Sequence, residues 1–309
     1  MTWIFQGGVM NKSFLRFYQL EWRRWNQVLL RELALLCVIP VLILLLYLIY
    51  PPILLNMAFT FLSLPSEVYA FLGIPPGTYG EHFSFFIFYA VLLLHIWFAY
   101  KKCTQAVKAL RWDDRNGSIY LWINQLVSRR QFILLKYVGT LISFWAVYFC
   151  FHLVLFMTIL IGANQYQFKI SAGVIVKLFF LGGFVITMLI TIASFYAMIK
   201  ESDDGGSDTS CAKYLIFATL LSGNIYKVRD LLIWVAELFH ERTTIKLDSQ
   251  GFADAFSWLD GLYWLSPLSW LNPYALDSGR ALSVQYFLCI FLTAVFGFFV
   301  IFIYQKRKL

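Results

Sequence analysis

Charge is scarce in this chain of 309 residues, where Asp, Glu, Lys and Arg together make up 14% against about 25% in a soluble domain. With 60% hydrophobic residues and a mean hydropathy of +0.69, that shortage excludes an ordinary water-soluble fold. Cysteine is sparse too. Cys37, Cys103, Cys150, Cys211 and Cys289 have no C-x-x-C spacing, so neither a disulfide framework nor a zinc site of Cys/His type is expected. No Gly-Lys pair occurs anywhere, so a P-loop of the form GxxxxGK[ST] is missing. His82, His95, His152 and His240 lack the H-E-x-x-H spacing of a zinc hydrolase, since His240-Glu241 is followed by Arg-Thr-Thr. The chain therefore offers no catalytic group, cofactor or metal of its own, and an intramembrane enzyme finds no convergent set of residues.

What the sequence does have is long apolar runs. A helix needs about 20 mainly apolar residues to cross a bilayer with its backbone bonds satisfied internally. Six windows meet that need, at 33–50, 83–100, 132–161, 172–199, 214–239 and 285–304. The expectation is one all-α polytopic membrane domain of six spans. The fifth window holds Lys227, Arg229, Asp230 and Glu237, and a charge at mid-bilayer costs at least about 2.5 kcal/mol. Its span is expected to end near Tyr226, with 228–241 as an amphipathic outer helix.

Lys and Arg set the orientation, because short loops rich in them stay on the cytoplasmic side. Residues 1–33 hold five, residues 101–131 hold seven and residues 51–82 hold none. Both termini are thus expected in the cytoplasm of a cell membrane protein. The net charge of +8 is shared among these loops rather than gathered in one patch, which argues against a nucleic-acid partner. The start of the chain lacks the pattern of a cleavable signal peptide, and Met10-Asn11-Lys12 offers an alternative start.

Before the first span, residues 12–32 read as an interfacial amphipathic helix. Phe14, Phe17, Tyr18, Trp22, Trp25, Val28 and Leu29 share one arc, and Arg16, Arg23, Arg24, Gln27 and Arg31 take most of the other. Trp22 and Trp25 at headgroup depth, with Arg23 and Arg24 toward anionic lipid, make the bilayer itself a partner.

Between the second and third spans lies a charged insert, 103–131. A helix continuing from the second span is expected to stop at the turn-forming cluster Asp113, Asp114, Asn116 and Gly117. From 118 to 127, Ile119, Trp122, Ile123 and Leu126 recur at i, i+3, i+4 and i+7, giving a short helix with one apolar face that needs a partner. Ser128 and Gln131 then have the S-x-x-Q spacing of a capping box, which starts the next helix at Arg129.

Taken in order, these features resemble the permease subunit of a type-2 ABC exporter. That family has an interfacial elbow helix, six spans and a cytosolic coupling helix between spans two and three. Asp113-Asp114, Gly117-Ser118, Val127-Ser128-Arg129 and Lys136 stand where the family has an acidic pair, a Gly-Ser or Gly-Thr, a Pro-Val-Ser-Arg step and a Lys. Leu126 departs from the family Pro, and Asp replaces the commoner Glu. The segment LYWLSPLSWLNPYAL, 262–276, and the basic end Tyr304-Gln305-Lys306-Arg307-Lys308 are also similar to it. Residues 200–260 match poorly. The resemblance implies a separate cytosolic ATPase subunit that binds ATP and Mg, docked at Asp113, Asp114, Ile119, Trp122, Ile123, Leu126 and Arg129. It also implies a second permease chain, alike or different.

Other readings stay open. An ion-coupled transporter or channel without an ATPase would need ionisable groups inside the membrane, and His95 and His152 are the candidates. A neutral histidine hydrogen-bonded to a neighbouring helix is the plainer reading of each. Lys177 is placed to snorkel from the outer end of the fourth span, and 200–213 reads as an acidic linker. Aromatic residues at 19% serve belts and packing and do not identify a cargo.

Overall fold

The computed structural model describes residues 12–49, 82–115, 128–166, 172–199, 210–225, 264–271 and 282–306, with 258, 261 and 276. Six helices account for nearly all of them: α1 (Lys12–Ile49), α2 (His82–Arg115), α3 (Arg129–Tyr166), α4 (Ala172–Ile199), α5 (Ser210–Ile225) and α6 (Leu282–Lys306). A 3₁₀ turn, Ser269–Leu271, lies before α6 in the chain. No strand occurs among the described residues. Arg130–Ile161, Gly173–Ile199 and Leu282–Lys306 are long and apolar enough to cross a bilayer. The chain is an all-α membrane protein.

Two expected boundaries move. Helix α1 runs through 32–33 without a break, so the expected interfacial helix and first span form one element of 38 residues. At 1.5 Å per residue it is about 57 Å long, nearly twice the roughly 30 Å hydrocarbon layer. Only part of it can lie in lipid tails. Pro40 sits inside it and removes the N–H that would bond to the Leu36 carbonyl. Likewise α2 runs to Arg115, so Asp113 and Asp114 occupy its last turn rather than a chain reversal. Carboxylates at a helix C-terminus oppose the macrodipole, yet the strong helix formers Ala106, Lys108, Ala109, Leu110 and Arg111 just before them carry the helix through.

Helix α4 is the centre of the bundle, packing against α2, α3, α5 and α6. Two thirds of its apolar window is buried, against 17% for α6. The difference follows from side-chain size. On α4, Gly182, Gly183, Ala193, Ser194 and Ala197 are buried and let neighbouring backbones approach. On α6, Phe287, Phe291, Phe298 and Phe302 face outward, as expected of a helix whose outer surface meets lipid. Gly297 is the place where α6 comes close, and a Cβ there would lie 3.3 Å from the Tyr137 hydroxyl. That hydroxyl donates to Thr191 Oγ1 at 2.7 Å, because Thr191 spends its own hydrogen on the Thr187 carbonyl.

The segment before α6 is buried rather than superficial. Ser266, Leu268, Trp270 and Leu271 are all at most 2% exposed, and Ser266 Oγ donates to the Thr219 carbonyl of α5 at 2.6 Å. Lys177 was expected to snorkel outward. Its Nζ instead donates to the Leu276 carbonyl at 3.1 Å, tying the start of α4 to this segment.

Candidate functional site

Two groups of polar side chains stand out among the described residues. One braces α2 and α3 on the side of the insert, and the other lies where α2, α3 and α4 meet.

The first begins at the cap. Ser128 Oγ accepts from the Gln131 N–H at 3.2 Å, while Gln131 Oε1 accepts from the Ser128 N–H at 3.1 Å. The expected capping box is present, and α3 starts at Arg129 as the S-x-x-Q spacing implies. Four residues into α3, Phe132 is buried and stacks on Tyr304 of α6, with centroids 6.0 Å apart and planes 12° from parallel. Lys136 is buried on the same side, its Nζ 5.6 Å from the Phe132 ring centre. Because the cap satisfies an amide that would otherwise lack a partner, Ser128→Ala is expected to destabilise the protein by about 1 kcal/mol while Ser128→Asp retains the cap. Thermal unfolding in mild detergent reads both.

At the end of α2, Arg111 is buried and donates from both Nε and Nη2 to the Ala197 carbonyl, at 3.1 and 3.0 Å. Ala197 lies in the last turn of α4, whose final carbonyls have no intrahelical donor and carry the negative end of the macrodipole. A guanidinium suits that position. Nearer the middle of α2, Lys102 Nζ lies 2.6 Å from a carboxylate oxygen of Glu32 on α1, and the two side chains are 1% and 9% exposed. Gln105 donates to the other Glu32 oxygen. Burial pulls the Lys102 ammonium below its ordinary range, and the Glu32 carboxylate partly restores it.

These contacts fasten each stalk of the insert to a different neighbour. Through Lys102 and Arg111, α2 is held to α1 and α4, and through Phe132, α3 is held to α6. Ile119, Trp122, Ile123 and Leu126 lie outside the described residues. Asp113, Asp114 and Arg129 are placed by their backbones at the facing ends of α2 and α3. On α1, Trp22 and Arg23 are exposed, and Arg24 and Trp25 share the same helix. Sequence reading missed Glu32 and Lys102 as a pair, although a Glu and a Lys at the edges of two apolar windows were the available signal.

The second group joins α2, α3 and α4. His95 Nδ1 lies 2.7 Å from the Val91 carbonyl and its Nε2 lies 3.0 Å from the Tyr148 hydroxyl. That hydroxyl also lies 3.2 Å from the Leu178 carbonyl of α4. His152 Nδ1 bonds the Tyr148 carbonyl at 3.0 Å, and its Nε2 has no partner although the side chain is 4% exposed. The two imidazole centroids are 5.2 Å apart. A glycine makes this approach feasible: a Cβ on Gly182 would fall 2.2 Å from the Tyr148 hydroxyl. The plain expectation for His95, a hydrogen bond to a neighbouring helix, matches this geometry, while Tyr148 escaped the sequence reading because tyrosine in an apolar run carries no distinct signal.

Among the described residues no three His, Cys, Asp or Glu side chains converge as a metal site would require. Comparison with family models, with curated proteins and with solved structures finds no match to this chain.

Proposed function

We propose that the chain is the membrane-spanning permease subunit of an ABC-2 type exporter. It forms the translocation path and is driven by a separate ATPase subunit that docks on the 118–127 segment. One observation carries the reading: the helices on either side of 116–127 are braced to three other helices, at Glu32–Lys102, Arg111–Ala197 and Phe132–Tyr304. A force applied to the insert would be delivered to α1, α4 and α6 together. Each of α1 to α6 then supplies one span, residues 12–32 serve as the elbow, and both termini lie in the cytoplasm of a cell membrane. Two such permease chains, alike or different, complete the path. ATP can shift the spans between inward-open and outward-open states only as far as its binding differs between them.

The 118–127 face gives a direct test. Trp122→Ala and Ile123→Asp are expected to weaken retention of the ATPase subunit on the tagged permease in a pull-down. Truncating a well-buried aromatic anchor costs on the order of 2 kcal/mol, or about thirty-fold. Retention unchanged in both variants contradicts docking at this face.

A second reading, an ion-coupled transporter working without an ATPase, draws on His95 and His152, whose buried rings lie 5.2 Å apart between α2 and α3. Gradient-driven transport by this chain alone in liposomes would favour it.

A further inference from the structure

We propose that His95 and Tyr148 form an intramembrane proton-binding site in which the arriving proton moves the tyrosine hydrogen from α2 to α4. The inference comes from counting hydrogens. A carbonyl only accepts, so the 2.7 Å contact with the Val91 oxygen makes His95 Nδ1 the N–H. In the neutral ring Nε2 then carries a lone pair. The same argument places a hydrogen on His152 Nδ1, which faces the Tyr148 carbonyl at 3.0 Å. One bare Nε2 atom, that of His95, and the Leu178 carbonyl therefore compete for one hydroxyl hydrogen, while His152 Nε2 is left without a partner.

In the neutral state that hydrogen can point to His95 Nε2 at 3.0 Å or to the Leu178 oxygen at 3.2 Å, never to both. If it serves Leu178, the lone pairs of Nε2 and Oη face one another. If it serves His95, the Leu178 contact is not a hydrogen bond. Adding one proton resolves the conflict. Nε2–H donates to Tyr148 Oη, Oη–H donates to the Leu178 carbonyl, and Nδ1–H stays on Val91. All three distances already suit those bonds, so no heavy atom has to move. One proton is taken up, no covalent bond between heavy atoms changes, and α3 gains a hydrogen bond to α4.

The surroundings decide which imidazole takes it. His152 Nε2 is buried with no acceptor beside it, whereas a hydrogen on His95 Nε2 has one. With the rings 5.2 Å apart, a proton on one repels a proton on the other, so the pair takes a single one. Other charges are distant or engaged. On α2 the nearest is Lys102, seven residues or about 10 Å along the helix and paired with Glu32 of α1. From α4 come Gly182, Phe179 and the Leu178 carbonyl, and Lys177 is bonded to Leu276. From α6, Tyr286 comes near Tyr148. On α5, Lys213 and Tyr214 are exposed. No carboxylate among these offsets the charge, so the chain of hydrogen bonds must carry it.

The test is ¹⁵N-histidine NMR of the full chain in lipid vesicles, titrated from about pH 8 to about pH 4, a range that brackets an ordinary histidine. His95→Asn assigns the signals. On acidification His95 is expected to gain Nε2–H while keeping Nδ1–H, with His152 unchanged. In Tyr148→Phe the protonated fraction relative to neutral should fall about ten-fold at the same pH, the loss expected when a charged donor forfeits its acceptor. A bare His95 Nε2 throughout, with helicity intact, overturns the proposal. So does protonation appearing first on His152, or an unchanged titration in Tyr148→Phe. The wild-type spectrum decides the point even where a variant fails to fold, and it does so whether or not an ATPase drives this chain.

Discussion

Lys102→Met is expected to lower the unfolding free energy by about 3 kcal/mol or more, the largest single-residue effect in the protein outside the apolar core. The reason is what the substitution leaves behind. Glu32 would remain buried between α1 and α2 with only Gln105 as a partner, and an uncompensated carboxylate in such a place costs far more than the ion pair contributes. The companion change tests that logic. Glu32→Gln with Lys102→Met removes both charges and should recover most of the loss, because a buried pair replaced as a unit is often close to neutral. Thermal unfolding of the purified protein in one detergent, for the wild type, both single variants and the double, gives the coupling term directly. Additive losses would mean that the two side chains do not act as a pair.

Gly182→Ala comes second. Its new methyl would sit 2.2 Å from the Tyr148 hydroxyl and 3.2 Å from His95 Nε2. Tyr148 cannot simply withdraw, since the rings of Phe98, Phe144 and Phe179 lie against it with centroids between 5.2 and 6.3 Å. Overpacking of this kind costs about 1–3 kcal/mol, and each displaced hydrogen bond adds about 1 kcal/mol. A total near 3 kcal/mol is expected. Tyr148→Phe in the Gly182→Ala background should relieve part of the clash by deleting the atom that is struck, so the double variant should be more stable than the sum of the singles implies. Strict additivity would contradict the contact.

How much of this was legible in the sequence depends on the range of the interaction. The capping box at Ser128 and Gln131 was readable because both partners lie within one turn and their spacing is diagnostic. The apolar windows that became α3, α4 and α6 were readable because crossing a bilayer demands length and hydropathy alone. Glu32 was not singled out. Between Arg31 and a run of leucines it looked like the edge of an interfacial helix, whereas its carboxylate is held by Lys102, far away in sequence, and α1 continues through it. Asp113 and Asp114 misled the reading, since turn preference is a weak force against a well-formed helix before it. His95 and His152 could be singled out separately as ionisable groups in apolar runs. Their juxtaposition could not, because it requires α2 and α3 to pack side by side with Gly182 of α4 against them.

The central claim is that a soluble ATPase docks on the insert, and a photo-crosslinking side chain placed at Trp122 in native membranes tests it most directly. The account predicts a single dominant adduct with a soluble subunit whose sequence contains GxxxxGK[ST], reduced when Ile123 is changed to Asp. Adducts confined to lipid, or to proteins without that motif, would contradict it.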